Sequence, residues 1–146
     1  MTTIKCKSFI MERTVNNVIR IVLHNNYKVG MDFNIDMNSM GEMFRLNESN
    51  RKNIQHVLLR ALNIEPYDVD QYSGSSWMQD PINGNGLTFT ITSTSDDAGT
   101  VSDYRLVVKI NTQEKECIYE MPVTKKHMHQ MLSLVDPAFL LMFDSE

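Results

Sequence analysis

From Tyr27 to Ile35 every second residue is apolar (Tyr27, Val29, Met31, Phe33, Ile35), and the residues between them, Lys28, Gly30, Asp32 and Asn34, are polar or small. Period two is the signature of a strand with one dry face and one wet face, so the chain must build a half-buried sheet. The same alternation returns in LTFTITSTS, where Leu87, Phe89 and Ile91 oppose Thr88, Thr90, Thr92 and Thr94. It returns again in DYRLVVKIN, with Tyr104, Leu106, Val108 and Ile110 on one side. ECIYEMPV follows, with Cys117, Tyr119 and Met121 expected inward and Pro122 marking an edge or a strand end.

Two further strands are predicted upstream. VIRIVLH, Val18 to His24, is β-branched and alternating, while IKCKSFIMERT alternates less cleanly and is expected to carry a bulge. Asn16–Asn17 and Asn25–Asn26 stand at the joints, and Asn tolerates the positive φ of tight hairpin turns. Residues 4–36 therefore read as a three-stranded meander.

Helical signals separate and follow the strands. Ser39-Met-Gly-Glu42 has the form of a capping box ahead of Met40, Met43 and Phe44. Ile54, Val57, Leu58, Ala61 and Leu62 form one apolar stripe, with Asn63 placed as a C-terminal cap and Pro66 beyond it. Thr124 is a good N-cap for a helix whose Met128, Met131, Leu132 and Val135 fall on one face. Asp136–Pro137 then opens a short apolar segment. Together these elements predict an α+β fold, an antiparallel sheet of about six strands in two three-stranded meanders with helices packed on one face, in the order βββαα-βββαα. Residues 1–146 are expected to form a single domain, because neither half alone has enough apolar surface for a core.

Composition narrows the function classes. Of 146 residues, 42% are hydrophobic and 22% charged, near globular averages, so disorder is not expected. MTTIKCKS lacks an apolar signal region, and the longest apolar run, AFLLMF, is far too short to span a bilayer. A soluble, cytoplasmic protein is expected. Cys6 and Cys117 belong to no CxxC pair and read as half-buried thiols in strands. The net charge of −4 argues against a partner bound by counterion release. Alanine occurs only at positions 61, 98 and 138 while Asn recurs throughout, a bias that fits an AT-rich genome and a phage or viral accessory protein.

KKHMHQML raises the question of a metal. On a helix, His127 and His129 lie roughly 200° apart and cannot share one ion, and a helical zinc pair needs i,i+4 spacing. No metal or other cofactor is expected. The segment Glu65 to Gly86 is long for a loop and holds Tyr67, Tyr72 and the sole Trp, Trp77, among Ser, Gly and Asn. Asp68-x-Asp70 starts like a calcium loop, but Ser73 and Gln79 occupy the positions that need Gly and Glu.

The leading expectation is a small acidic protein-interaction module of accessory, adaptor or inhibitor type, without catalytic activity, that forms a homodimer. Its contact residues would be Tyr67, Tyr72 and Trp77 with the apolar tail Phe139, Leu140, Met142 and Phe143. One alternative is a small-ligand binding protein or metal-dependent hydrolase that uses the 65–86 loop, with Asp68, Asp70, Asp80 and His56 around a pocket. Another is a single-stranded nucleic-acid binder that stacks bases on Tyr72 and Trp77 beside Lys5, Lys7, Arg13, Lys125 and Lys126.

Overall fold

In the computed structural model the described residues are 2–14, 18–25, 28–33, 40–62, 73–95 and 101–135. They form nine strands and two helices in two sheets, an α+β fold whose strand pairs are mostly antiparallel. The strands are β1 (Thr2–Cys6), β2 (Ser8–Arg13), β3 (Ile19–His24), β4 (Gly30–Asp32), β5 (Glu42–Leu46), β6 (Ser73–Gln79), β7 (Gly86–Ser95), β8 (Val101–Asn111) and β9 (Lys115–Val123). The helices are α1 (Glu48–Leu62) and α2 (Lys125–Val135).

The second meander forms as its alternation requires. β7, β8 and β9 pair antiparallel in sequence order, and Leu87, Phe89, Ile91, Leu106, Val108, Ile110, Cys117 and Tyr119 are all buried. Pro122 sits where β9 pairs only with β8, because the partnership with β1 ends at Tyr119, so its missing N–H costs no ladder bond on that side.

The first meander is rearranged, and the expected single sheet becomes two. IKCKSFIMERT is broken at Lys7. β1 joins the five-stranded sheet, order β1-β9-β8-β7-β6, through parallel pairing with β9, whereas β2 enters the four-stranded sheet, order β4-β2-β3-β5. β2 and β3 do form a hairpin, closed by Thr14 N donating to Val18 O at 2.9 Å, while Asn16–Asn17 lie outside the described residues. β3 and β4 do not pair. The chain crosses to the far side of β2, and β4, only three residues long, runs parallel to it. Val29 is 62% exposed rather than on the dry face, because pairing begins only at Gly30, whose N–H donates to Lys7 O.

The capping box at Ser39 is a second correction. Glu42–Leu46 is strand β5, paired with β3, with Phe44 and Leu46 buried. A Cβ at Gly41 would stand 2.4 Å from Leu23 O, and its φ of +145° suits glycine alone, so this backbone hugs β3 and no helix starts here. α1 is instead capped by Asn47, whose Oδ1 accepts from Asn50 N at 2.8 Å and whose carbonyl accepts from Arg51 N. The predicted stripe Ile54, Val57, Leu58 and Ala61 is its buried face. α2 starts as expected, with His127 N donating to Thr124 Oγ1 at 3.1 Å and Met128, Met131 and Val135 buried.

Both sheets and both helices contribute to one core cluster. At its centre the Phe9 ring of β2 stacks on Tyr119 of β9, centroids 5.5 Å apart, and both side chains are fully buried. β2 also buries its other face, where Ile10 lies with Val22 and the carboxylate of Glu12. That carboxylate is matched by Arg20 across the β2–β3 ladder, and the Arg20 Nη1 lies 3.0 Å from Met43 Sδ.

An uncompensated buried charge is costly, so Glu12→Leu alone or Arg20→Met alone is expected to destabilise the protein by about 3–5 kcal/mol. The double substitution Glu12→Leu/Arg20→Met should recover most of that loss. Urea unfolding of the three variants checks the sign of the cycle. Strictly additive losses would mean the pair does not act as a unit.

Candidate functional site

Trp77 is the one sequence-predicted contact residue among the described residues. Tyr67, Tyr72, Phe139, Leu140, Met142 and Phe143 lie outside them, as do Asp68 and Asp70. Trp77 does not roof the core from a loop. It belongs to β6, a strand within the segment read as irregular, and its side chain is 64% exposed. The pairing Trp77↔Thr88 sets its inward-facing neighbour Met78 into the core and turns the indole outward. Gly86, next along β7, leaves room for it: a Cβ there would meet the indole Nε1 at 3.2 Å and Cε2 at 3.6 Å. The ring therefore lies against bare backbone, which fixes an exposed aromatic in one orientation.

The outer face around Trp77 is polar and balanced. One cross-strand row runs Trp77, Thr88, Lys109, Ile118 and Lys5. Arg105 is also on this face and pairs with Glu120 at 2.7 Å, and Asp103 and Glu116 add further negative charge. The three basic groups meet three acidic ones, which gives no net positive stripe for a phosphate backbone. Asp80, a candidate for the hydrolase reading, is buried and spends its carboxylate on backbone N–H groups. Oδ2 accepts from Arg45 N at 2.9 Å, and Oδ1 accepts from Ile82 N at 2.8 Å and Asn83 N at 3.3 Å. It ties the β6–β7 turn to β5. His56 is exposed on α1.

The imidazoles of the HMH motif part company on α2. His127 is half-buried, its ring 6.1 Å from that of Phe33, while His129 is exposed. Among the described residues no group of three or more His, Cys, Asp or Glu side chains converges on a point that could hold a metal ion. No helix among them is long and apolar enough to cross a membrane.

Sequence reasoning missed a second locale, where the two cysteines meet. Parallel pairing of β1 with β9 sets Ile4 opposite Cys117 and Cys6 opposite Tyr119, so both thiols share the inward face two positions apart. Cys117 is buried, Cys6 is half-buried, and the Cys6 thiol donates to Ile4 O at 3.9 Å. They border a cavity of about 450 Å³ lined also by Leu23, His24, Met40 and Gly41, with the Lys115–Glu42 ion pair, 2.5 Å long, at its side. No local motif could have announced this pair, which lies 111 residues apart (117 − 6) and depends on the parallel pairing of β1 with β9.

The electrostatics keep these thiols neutral. Burial, then the neighbouring Cys117 sulfur, pushes Cys6 from 9.0 up to about 12, and burial followed by the charge of Glu42 raises Cys117. The hydrogen bond to Glu42, reinforced by its charge, raises Lys115. Burial pushes Tyr119 from 10.0 up to about 12, and its hydroxyl finds no hydrogen-bond partner among the described residues. A thiol held protonated is a poor nucleophile, so covalent catalysis is not what this arrangement favours.

The sequence matches no protein-family model and no curated protein.

Cys6 and Tyr119 hold their protons more tightly in the folded chain than in the unfolded one. Their contribution to stability is therefore complete below pH ~9 and is lost as the pH rises towards ~12. The melting temperature should fall across that window, and Cys6→Ala/Tyr119→Phe should flatten the fall. Tyr119→Phe alone should cost little at neutral pH, since it removes a buried hydroxyl that makes no bond. An unchanged alkaline profile in the double variant would disprove the assignment.

Proposed function

We propose that the protein is a non-catalytic protein-interaction module that docks an extended segment of a partner protein along strand β6, with Trp77 as the anchor. The observation that carries this reading is an exposed tryptophan beside Gly86 on a strand that, among the described residues, is a sheet edge without charge, proline or bulge. Natural edges are blunted by charge, proline, bulges or shortness. Lys5 stands on β1, Glu42 and Arg45 on β5, and β4 is only three residues long with Asp32. β6, SGSSWMQ, carries no charge and no proline, and its register with β7 shows no bulge.

Among the described residues β6 pairs only with β7, and one of its carbonyls, that of Gln79, accepts from Asn50 Nδ2 at 3.1 Å. An added strand would gain main-chain hydrogen bonds from the edge and specificity from an apolar side chain set on the indole. The small residues Gly74, Ser75 and Ser76 would not obstruct it. Charge balance on the outer face favours a protein over a nucleic acid. A second copy of this chain is one partner the edge could accept, which would make the homodimer a continuous sheet across two protomers.

The sole tryptophan makes the test direct. In the isolated protein its emission should be that of a largely hydrated indole, and Trp77→Ala should change stability by no more than about 1 kcal/mol. A photo-crosslinking amino acid at exposed Ser75 should then capture, in cells, one saturable protein partner or a second copy, and Trp77→Ala should abolish the capture. Crosslinks no stronger than those from a probe at exposed Glu114, or crosslinks indifferent to Trp77→Ala, would sink the proposal.

A further inference from the structure

We propose that Cys6 and Cys117 together form a binding site for one soft monovalent d10 metal ion of the Cu(I) class, held between the two sulfurs beside the cavity. This site is independent of the β6 edge. β1 and β9 lie at one side of the five-stranded sheet and β6 is the opposite edge strand.

Three observations converge on it. The first is placement: the sheet register sets both sulfurs on the inward face as diagonal neighbours that line one cavity. The second is access. The thiols border a cavity of about 450 Å³, and Met40, 78% exposed, lines the same space with a thioether, a further soft donor. The third is the ligand count. Structural zinc wants four nitrogen or sulfur ligands, and the described residues offer no group of three or more. A monovalent d10 ion is satisfied by two sulfurs in a near-linear arrangement, so two cysteines suffice. Ile4 and Leu23 line the cavity beside the two sulfurs.

The chemistry balances without a change of oxidation state. Two thiols and one M⁺ give a bis-thiolate complex of charge −1 and release two protons to solvent. The Lys115 ammonium beside the site favours the ionised sulfurs, while the Glu42 carboxylate paired with it opposes them. Because two protons are released, uptake is pH-dependent, with tighter binding as pH rises.

The test uses the reduced full chain and Cu(I) presented as its bathocuproine disulfonate complex, whose bleaching reports transfer. One ion per chain should be taken up, two protons released, and both cysteines protected together from iodoacetamide. Cys6→Ala keeps the buried Cys117 and should fold, yet lose affinity by more than about a hundredfold, beyond the range of outer-shell changes. Lys115→Gln should weaken binding about tenfold. The proposal is overturned if no copper is transferred, if Cys6→Ala takes it up like the parent, or if saturation leaves either thiol open to alkylation. The alkylation readout needs no variant, so it decides the matter even if a substitution perturbs folding.

Discussion

The architecture turns on the backbone of a single residue, Lys7. Its N–H donates to His24 O at 2.7 Å and its carbonyl accepts from Gly30 N at 3.1 Å. The end of β3 and the start of β4 are thus both fastened to the point where the chain leaves one sheet and enters the other. On one side of Lys7 the strand pairs with β9, and on the other with β3 and β4. A strand that changes sheets at a corner obliges the two sheets to meet face to face there. The Phe9–Tyr119 stack, one ring from each sheet, fills the resulting interior. The thiol cavity follows from the same turn, because it opens between β1, β3 and β9 near this corner, lined by Cys6, His24 and Cys117.

The five-stranded sheet divides its work by side and by face. Its inward face near β1 gathers polarisable sulfur against apolar neighbours, where desolvation keeps both thiols protonated. Its outward face near β6 carries an indole fixed against Gly86 in a field of hydroxyls and matched charges. The two locales differ in the chemistry they can attract, soft ions in one case and apolar side chains with free backbone groups in the other. They share no residue.

Legibility in the sequence tracked how local the deciding interactions are. β7, β8, β9, α1 and α2 were readable because their periodicity and caps are contained in windows of about ten residues, and Thr124 capping α2 is a case in point. The capping box at Ser39 misled, since pairing of Glu42–Leu46 with β3 outweighs a local cap. The strand SGSSWMQ was invisible because its only bulky residues, Trp77 and Met78, are adjacent and point to opposite faces, which erases the alternation. The break at Lys7 was read as a bulge, a local irregularity, when it is a change of sheet. Trp77 stood out in the composition, whereas the cysteine pair did not, being made by the pairing of β1 with β9, which are far apart in sequence.

That contact has a consequence for how the chain acquires its structure. Ile4 finds its partner Cys117 only after the 112 residues between them (117 − 4 − 1) have emerged, so β1 is placed later than the strands that follow it and pair locally. Parallel pairings across such separations carry the loop-closure cost that makes folding slow. Until β9 arrives, β1 lacks the strand it pairs with in the sheet and a neighbouring nascent chain could capture it, and the meander β7-β8-β9 must assemble before β1 has a place to dock.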